Sequence, residues 1–202
     1  MYTAFNRSNF QQEIFELYHD LITFGTAAMF IEEDEEDLIK FSTRHIDEVY
    51  IAENDKGRID TIYRRFKLSA RAIVQKFGDK VSQDILTMEK KDPYQEIEII
   101  HAVYPRSDFN PNKKDKKNMP FESVYMEYKN KNELSVSGFK EFPFVVPRYL
   151  KASHEIYGRS PAMTALPDVK MLNEMSKTTI KAAQKQVDPP LLVPDDGFLL
   201  PV

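Results

Sequence analysis

The chain has no cysteine and no tryptophan, and only six glycines and four histidines among its 202 residues. Without cysteine there are no disulfides and no thiolate metal sites. Neither G-x-x-x-x-G-K-S/T nor G-x-G-x-x-G occurs, so the phosphate-cradling loops of the common ATPases and dinucleotide enzymes are missing. His19, His45, His101 and His154 include no H-x-x-x-H pair, and no G-x-S-x-G nucleophile elbow accompanies them. A carboxylate raises imidazole basicity, so His45 with Asp47 and His154 with Glu155 are the available acid–base neighbours; structural or surface roles are the more economical reading. No apolar run approaches about 20 residues, the length a bilayer-spanning helix needs. No excess of basic charge is present either. Lys and Arg total 28 against 32 Asp and Glu, a net charge of -4, which is not the balance of a dedicated nucleic-acid binder.

The patterning that is present predicts an α+β fold with mixed, mostly antiparallel strands, an N-terminal helix, short helices and a long C-terminal helix. Residues 1–7 carry no signal for a structured start. Ser8 with Gln11 forms a capping box. Phe10, Ile14, Leu17, Leu21 and Phe24 then recur at helical spacing, and Phe15, Tyr18 and Ile22 widen the stripe enough to predict burial on more than one side. Gly25 supplies a left-handed stop. Strands are expected over 27–31, 38–42, 48–52, 58–66, 95–104, 121–129, 133–139 and 144–151, the last marked as an edge by Pro143 and Pro147. Asn54-Asp55-Lys56-Gly57 is a hairpin turn. Short helices are expected over 69–77 and 82–90, and a loop over 108–120. The long helix runs from Pro161 to Val187, with Ser160 as N-cap and a kink or restart after Pro167.

Four constellations could carry chemistry. The carboxylates Glu32 to Asp37 could hold a hard cation or serve a metal-dependent nuclease through Glu32, Glu33 and Asp34, but a solvated turn explains a charge run more simply. Lys113-Lys114-Asp115-Lys116-Lys117 lies in a polar loop and reads as flexible. Lys170, Lys177, Lys181 and Lys185 fall near one face of the long helix, a candidate DNA-channel or subunit-interface stripe that would touch backbone phosphates without reading bases. An ordinary solvated face is the competing reading. The 24 Tyr and Phe residues show no interleaving with basic residues of the kind a base-stacking platform needs.

The most specific stretch is Tyr149 to Met175, Y-L-K-A-S-H-E-I-Y-G-R-S-P-A-M-T-A-L-P-D-V-K-M-L-N-E-M. It reads as a strand, a tight turn at Gly158, Arg159, Ser160 and Pro161, and the start of the long helix. This segment resembles the signature of the head-to-tail connecting (portal) proteins of short-tailed bacteriophages. Ser8 to Glu33, Arg44 to Arg65 and Pro189 to Asp196 are similar to further parts of that family, and the middle from about Lys90 to Asn132 less so.

The resemblance implies a wing-like α+β domain over 1–150, a strand-turn and stem-like helix over 151–188, and the beginning of a segment toward the clip over 189–202. Because the family's proteins are longer, it also implies an internal piece. By the same resemblance the chain would be a non-enzymatic subunit of a ring of about twelve copies. That ring would sit at one capsid vertex of the virion, assembled in the host cytoplasm, and double-stranded DNA would pass through it during packaging and ejection. The terminase motor, tail adaptor and capsid proteins would be its partners; no cofactor, metal or membrane is expected. Met171, Leu172, Met175 and Ile180 would pack in the core and between subunits, and Gly158 would be a positive-φ hinge between sheet and stem. A capsid or tail adaptor module that forms no ring is the alternative.

Overall fold

The computed structural model describes residues 2–34, 38–110, 113 and 115–189, and the chain divides into two units, Met1–Pro161 and Ala162–Val202. The first unit holds two antiparallel sheets. In chain order its elements are α1 (Tyr2–Arg7), α2 (Phe10–Phe24), β1 (Ala28–Asp34), β2 (Leu38–Arg44), β3 (Val49–Glu53), β4 (Ile59–Ser69), α3 (Ala70–Phe77), α4 (Gln83–Lys91), β5 (Glu96–Pro105), β6 (Phe121–Glu127), β7 (Glu133–Phe139) and β8 (Phe144–Val145). One sheet has the order β2-β1-β8; the other is the meander β3-β4-β5-β6-β7. This is the α+β class with antiparallel pairing that the patterning predicts.

Three apolar clusters join these layers. Ala28 and Phe30 of β1 and Phe144 of β8 pack against Val49, Ile51, Ile62 and Val103 of the five-stranded sheet. Helices α3 and α4 cover the same sheet further along, with Ala70, Ile73 and Ile85 against Phe66, Ile99 and Leu134. Helices α1 and α2 cover the other face of β1 and β2, where Leu17, Ala27, Met29 and Phe41 are buried.

Local chemistry fixes the ends of the elements. Gly25 stops α2 at φ 80°, the left-handed region that glycine enters without a Cβ penalty. The Ser69 hydroxyl accepts from the Ala72 N–H and caps α3.

Several sequence expectations need correction. Residues 2–7 form α1, whose Phe5 stacks on Phe10 at 4.8 Å between ring centres and meets Phe41 edge-on. Tertiary packing, rather than local propensity, orders this turn and a half. Helix α2 begins at Phe10 with Asn9 at its cap position, one residue later than a Ser8 cap implies, although the Ser8 hydroxyl still accepts the Phe10 N–H at 3.3 Å. The Asn9 side chain makes no cap bond to the helix backbone and instead pairs with the Phe41 backbone, accepting its N–H at 3.0 Å and donating to its carbonyl at 2.7 Å. The widened stripe is not buried: Phe15, Tyr18 and Ile22 remain 73%, 55% and 54% exposed, because α1 and the three-stranded sheet cover only one side of α2. The expected strand 144–151 shrinks to Phe144–Val145, and the chain beyond Pro147 continues as isolated bridges, Thr26 to Arg148 and Leu150 to Arg159.

The second unit is described by α5, which runs without interruption over Pro161–Val187 with Pro167 inside it. There is no restart at Asp168; a single missing N–H near the start leaves the rest of the ladder of a 27-residue helix in place. The expected segment Leu191–Val202 lies outside the described residues.

Candidate functional site

The signature segment ends in a junction where three stretches of backbone meet. After α2 the chain passes through Gly25, Thr26 and Ala27, and residues 147–149 lie along one side of it. The Gly25 carbonyl accepts from the Tyr149 N–H at 2.9 Å, and the Pro147 carbonyl accepts from the Ala27 N–H at 3.2 Å. Pro147 has no N–H of its own, so it can serve here only as an acceptor. Residues 158–160 lie along another side. The Gly158 N–H donates to the buried Thr26 hydroxyl at 2.7 Å, and the Ser160 hydroxyl donates to the Thr23 carbonyl at 2.8 Å.

Gly158 is not a positive-φ hinge. The glycines with positive φ are Gly25, Gly57 and Gly78. Glycine is required at 158 for room: a Cβ there would collide with the Gly25 carbonyl oxygen and lie 3.2 Å from the Tyr149 nitrogen. Close approach of two backbones is the second reason for glycine, distinct from φ.

Ion pairs secure the loop that leads to Gly158. Arg159 holds Glu155 with two guanidinium nitrogens, Nε at 2.9 Å and Nη2 at 2.5 Å, and this hydrogen bond keeps the Glu155 carboxyl below its ordinary range. The Leu150 carbonyl accepts from the Arg159 N–H at 2.7 Å. Upstream, Glu53 at the end of β3 takes Lys151 at 2.6 Å and also binds the Arg148 guanidinium. Arg148 further donates to the carbonyls of Ile156 at 3.1 Å and Gly57 at 3.2 Å. The Tyr157 hydroxyl accepts from the Ile51 N–H at 3.2 Å. Charge-assisted bonds to a shared carboxylate are the strong kind, so an otherwise irregular segment is anchored to the β3–β4 hairpin.

Of the predicted residues, Gly158, Arg159 and Ser160 meet at this junction, and Pro161 opens α5 directly after it. Lys170, Lys177, Lys181 and Lys185 all lie on α5, within about a quarter-turn of one another at about 100° per residue. Lys177 is paired with Glu174 at 3.2 Å on that same face. Met171, Leu172, Met175 and Ile180 are 57% to 59% exposed, and α5 has no buried side chain among its described residues. Among the described residues they belong to none of the three apolar clusters.

Neither of the two expected histidine–carboxylate pairs is seen among the described residues. His45 Nδ1 accepts from the Asp47 backbone N–H rather than meeting its carboxylate, and Glu155 beside His154 is taken by Arg159. The Ser–His contact in the fold is His101 Nε2 to Ser123 Oγ at 2.9 Å, and both residues are buried. Burial, with Arg64, Lys76 and Arg44 nearby, lowers the His101 pKa to about 3, so its ring is a poor base at neutral pH. Glu32, Glu33 and Asp34 sit in β1, where alternation puts Glu33 on the face opposite to Glu32 and Asp34, so the three do not converge on one cation; residues 35–37 lie outside the described residues.

Sequence reading missed Arg148, Glu53, Lys151 and the Thr26–Gly158 bond, which join residues 91 to 132 positions apart. It also missed Glu127. This buried carboxylate accepts from the Ser82 N–H at 3.0 Å and from Asn130 and Asn132, tying α4 to the β6–β7 turn. A period-2 count along β5 and β6 would have found His101, Ser123 and Glu127 as polar residues on a core face.

Comparison with known proteins adds to this geometry. Residues 1–201 match the family model described as bacteriophage head to tail connecting protein. The chain is 36% identical over 199 residues to the portal protein of Salmonella phage epsilon15 and 32% identical over 198 residues to the probable portal protein of Bordetella phage BPP-1. Each match covers 96% of this chain and 36% of the relative, so the chain spans about a third of the length of these curated relatives.

Proposed function

The chain belongs to the family of bacteriophage head to tail connecting proteins, and from that premise we propose that it is the wing and the beginning of the stem of a portal subunit. In this reading about twelve copies close into a ring at one capsid vertex. Double-stranded DNA enters and leaves through the ring, the terminase docks on it during packaging, and tail adaptor proteins follow. The subunit acts by geometry and carries out no chemistry. Residues 1–150 are the wing, 151–188 the turn and stem-like helix, and 189–202 lead toward the clip.

The family match along nearly the whole chain carries this reading. The form of α5 agrees with it. One side carries Lys170, Lys177, Lys181 and Lys185, and the roughly opposite side carries Leu172, Met175 and Ile180, so the helix has an apolar stripe that no described residue of its own unit buries. Burying large side chains against neighbouring copies would remove them from water, while a lysine face could brush phosphates without holding any one sequence.

The test is to withhold this protein during phage assembly. Heads should form and stay empty of genome. Heads filled to the normal DNA content in its absence would overturn the portal reading.

A further inference from the structure

Arg44 of β2, Arg64 of β4 and Lys76 of α3 come from three elements and lie close enough for their charges to act on one another. Arg64 of β4, His101 of β5 and Tyr125 of β6 are register partners, one row on the face that also buries Ile62, Ile99 and Val103. The His101 ring lies flat on Tyr125, 3.9 Å between centres and 4° between planes. Lys76 of α3 reaches over the same row, its Nζ 4.7 Å from the centre of the Tyr125 ring. Arg44 ends β2 opposite Ala28 in the register, on the side of the three-stranded sheet that faces this row. Its Nε is buried and has no hydrogen-bond partner among the described residues.

These charges act on one another. Burial and the Arg44 charge lower the Arg64 pKa even though Glu48 sits 2.9 Å away. Burial likewise lowers the Lys76 amine, with Arg44, Arg64 and Lys40 adding to the effect and Glu32 opposing it. Glu48 offsets Arg64 and Glu32 offsets Lys76, while the buried Arg44 Nε keeps no hydrogen-bond partner among the described residues. Arginine cannot relieve repulsion by losing its proton, and confined positive charge calls for a counter-anion.

We infer that the space bounded by Arg44, Arg64 and Lys76 binds a small inorganic oxyanion, phosphate or sulfate. Guanidinium and ammonium groups donate charge-assisted hydrogen bonds suited to such oxygens. Lys76 is an exposed residue whose amine is nonetheless partly desolvated, so it stands at the mouth of this space. Neutral His101 and Tyr125, whose hydroxyl burial pushes up to about 12, form a floor that adds no charge at neutral pH. The site stands apart from the junction and from α5, and its existence does not depend on the portal reading.

The test is thermal unfolding of the full chain in rising sodium phosphate, with sodium chloride balancing ionic strength. Phosphate also stabilises proteins by exclusion from their surface; Lys76→Gln shares that effect, so the difference between the two proteins is the readout. A saturating rise of roughly 5 °C is expected in the parent, reduced by half or more in Lys76→Gln and absent in Arg44→Gln. Calorimetric titration with phosphate should show one site in the parent. No saturating rise, or equal rises in the parent and Lys76→Gln, would overturn the site. Lys76 lies at the surface, so its variant stays informative even if Arg44→Gln fails to fold.

Discussion

Gly25 and Gly158 press backbone against backbone. A Cβ on Gly25 would lie 2.5 Å from the Gly158 carbonyl oxygen, and a Cβ on Gly158 would strike the Gly25 carbonyl oxygen in return. The contact joins the end of α2 to the segment that opens α5, with the Thr26–Gly158 hydrogen bond beside it, a link across 132 residues. Gly158→Ala should therefore destabilise the first unit by about 2–4 kcal/mol, the scale of overpacking a site that cannot give, and Gly158→Val by more. Urea unfolding followed by far-ultraviolet circular dichroism suits a chain without tryptophan. A Gly158→Ala midpoint equal to that of the parent would show that the two backbones part freely.

Glu53 holds two cations at once, Arg148 and Lys151. Its carboxyl is lowered mainly by the Lys151 hydrogen bond and then by Arg148. The sign follows: its contribution is present at neutral pH and is lost as the pH falls through the depressed value. Glu53→Gln should loosen residues 148–157 while leaving both sheets folded. Limited trypsin digestion should then cut after Arg148 or Lys151 several-fold faster than in the parent. Unchanged cleavage would mean that Tyr157 and the Gly25 contact suffice to hold the loop.

His101 predicts an acid-sensitive core. Burial holds its pKa at about 3, below the ordinary 6.5, so between those values the unfolded chain binds a proton that the folded chain refuses. Stability attributable to His101 should fall by about 1.4 kcal/mol per pH unit as pH drops through that window. His101→Gln can still bond Ser123 and should remove this slope between about pH 6 and pH 4. The same slope in the variant would place the proton uptake elsewhere.

On α5 the two faces should separate in their effects. Ile180→Asp and Met175→Asp place charge on the apolar stripe and should weaken self-association of full-length protein without changing the unfolding of the first unit. Replacing Lys170, Lys177, Lys181 and Lys185 by Gln should leave the assembled mass unchanged. It should flatten the salt dependence of duplex DNA binding by about 0.9 in log–log slope for each phosphate no longer neutralised. Equal salt slopes in the parent and the fourfold variant would make the lysine face a solvated one.

Much of this fold could be read from local pattern. Asn54 to Gly57, Gly25, Ser69 and Pro161 mark element ends through backbone chemistry that acts over a few residues, and each stands where that chemistry puts it. What stayed hidden depends on distant partners. α1 exists because Phe5 finds Phe10 and Phe41. Phe15, Tyr18 and Ile22 have the spacing of a buried stripe, yet spacing cannot say whether anything covers it. Gly158 was legible as a required glycine but for another cause, since φ is local whereas its neighbour Gly25 is remote. The polar core residues His101, Ser123 and Glu127 needed the strand register to bring them together.

The most direct measurement of the central claim is the solution mass of the full-length protein, taken together with negative-stain images of the same sample. Rings with a central hole and about twelve-fold symmetry are expected. A monomer or dimer at every salt concentration would contradict the portal ring.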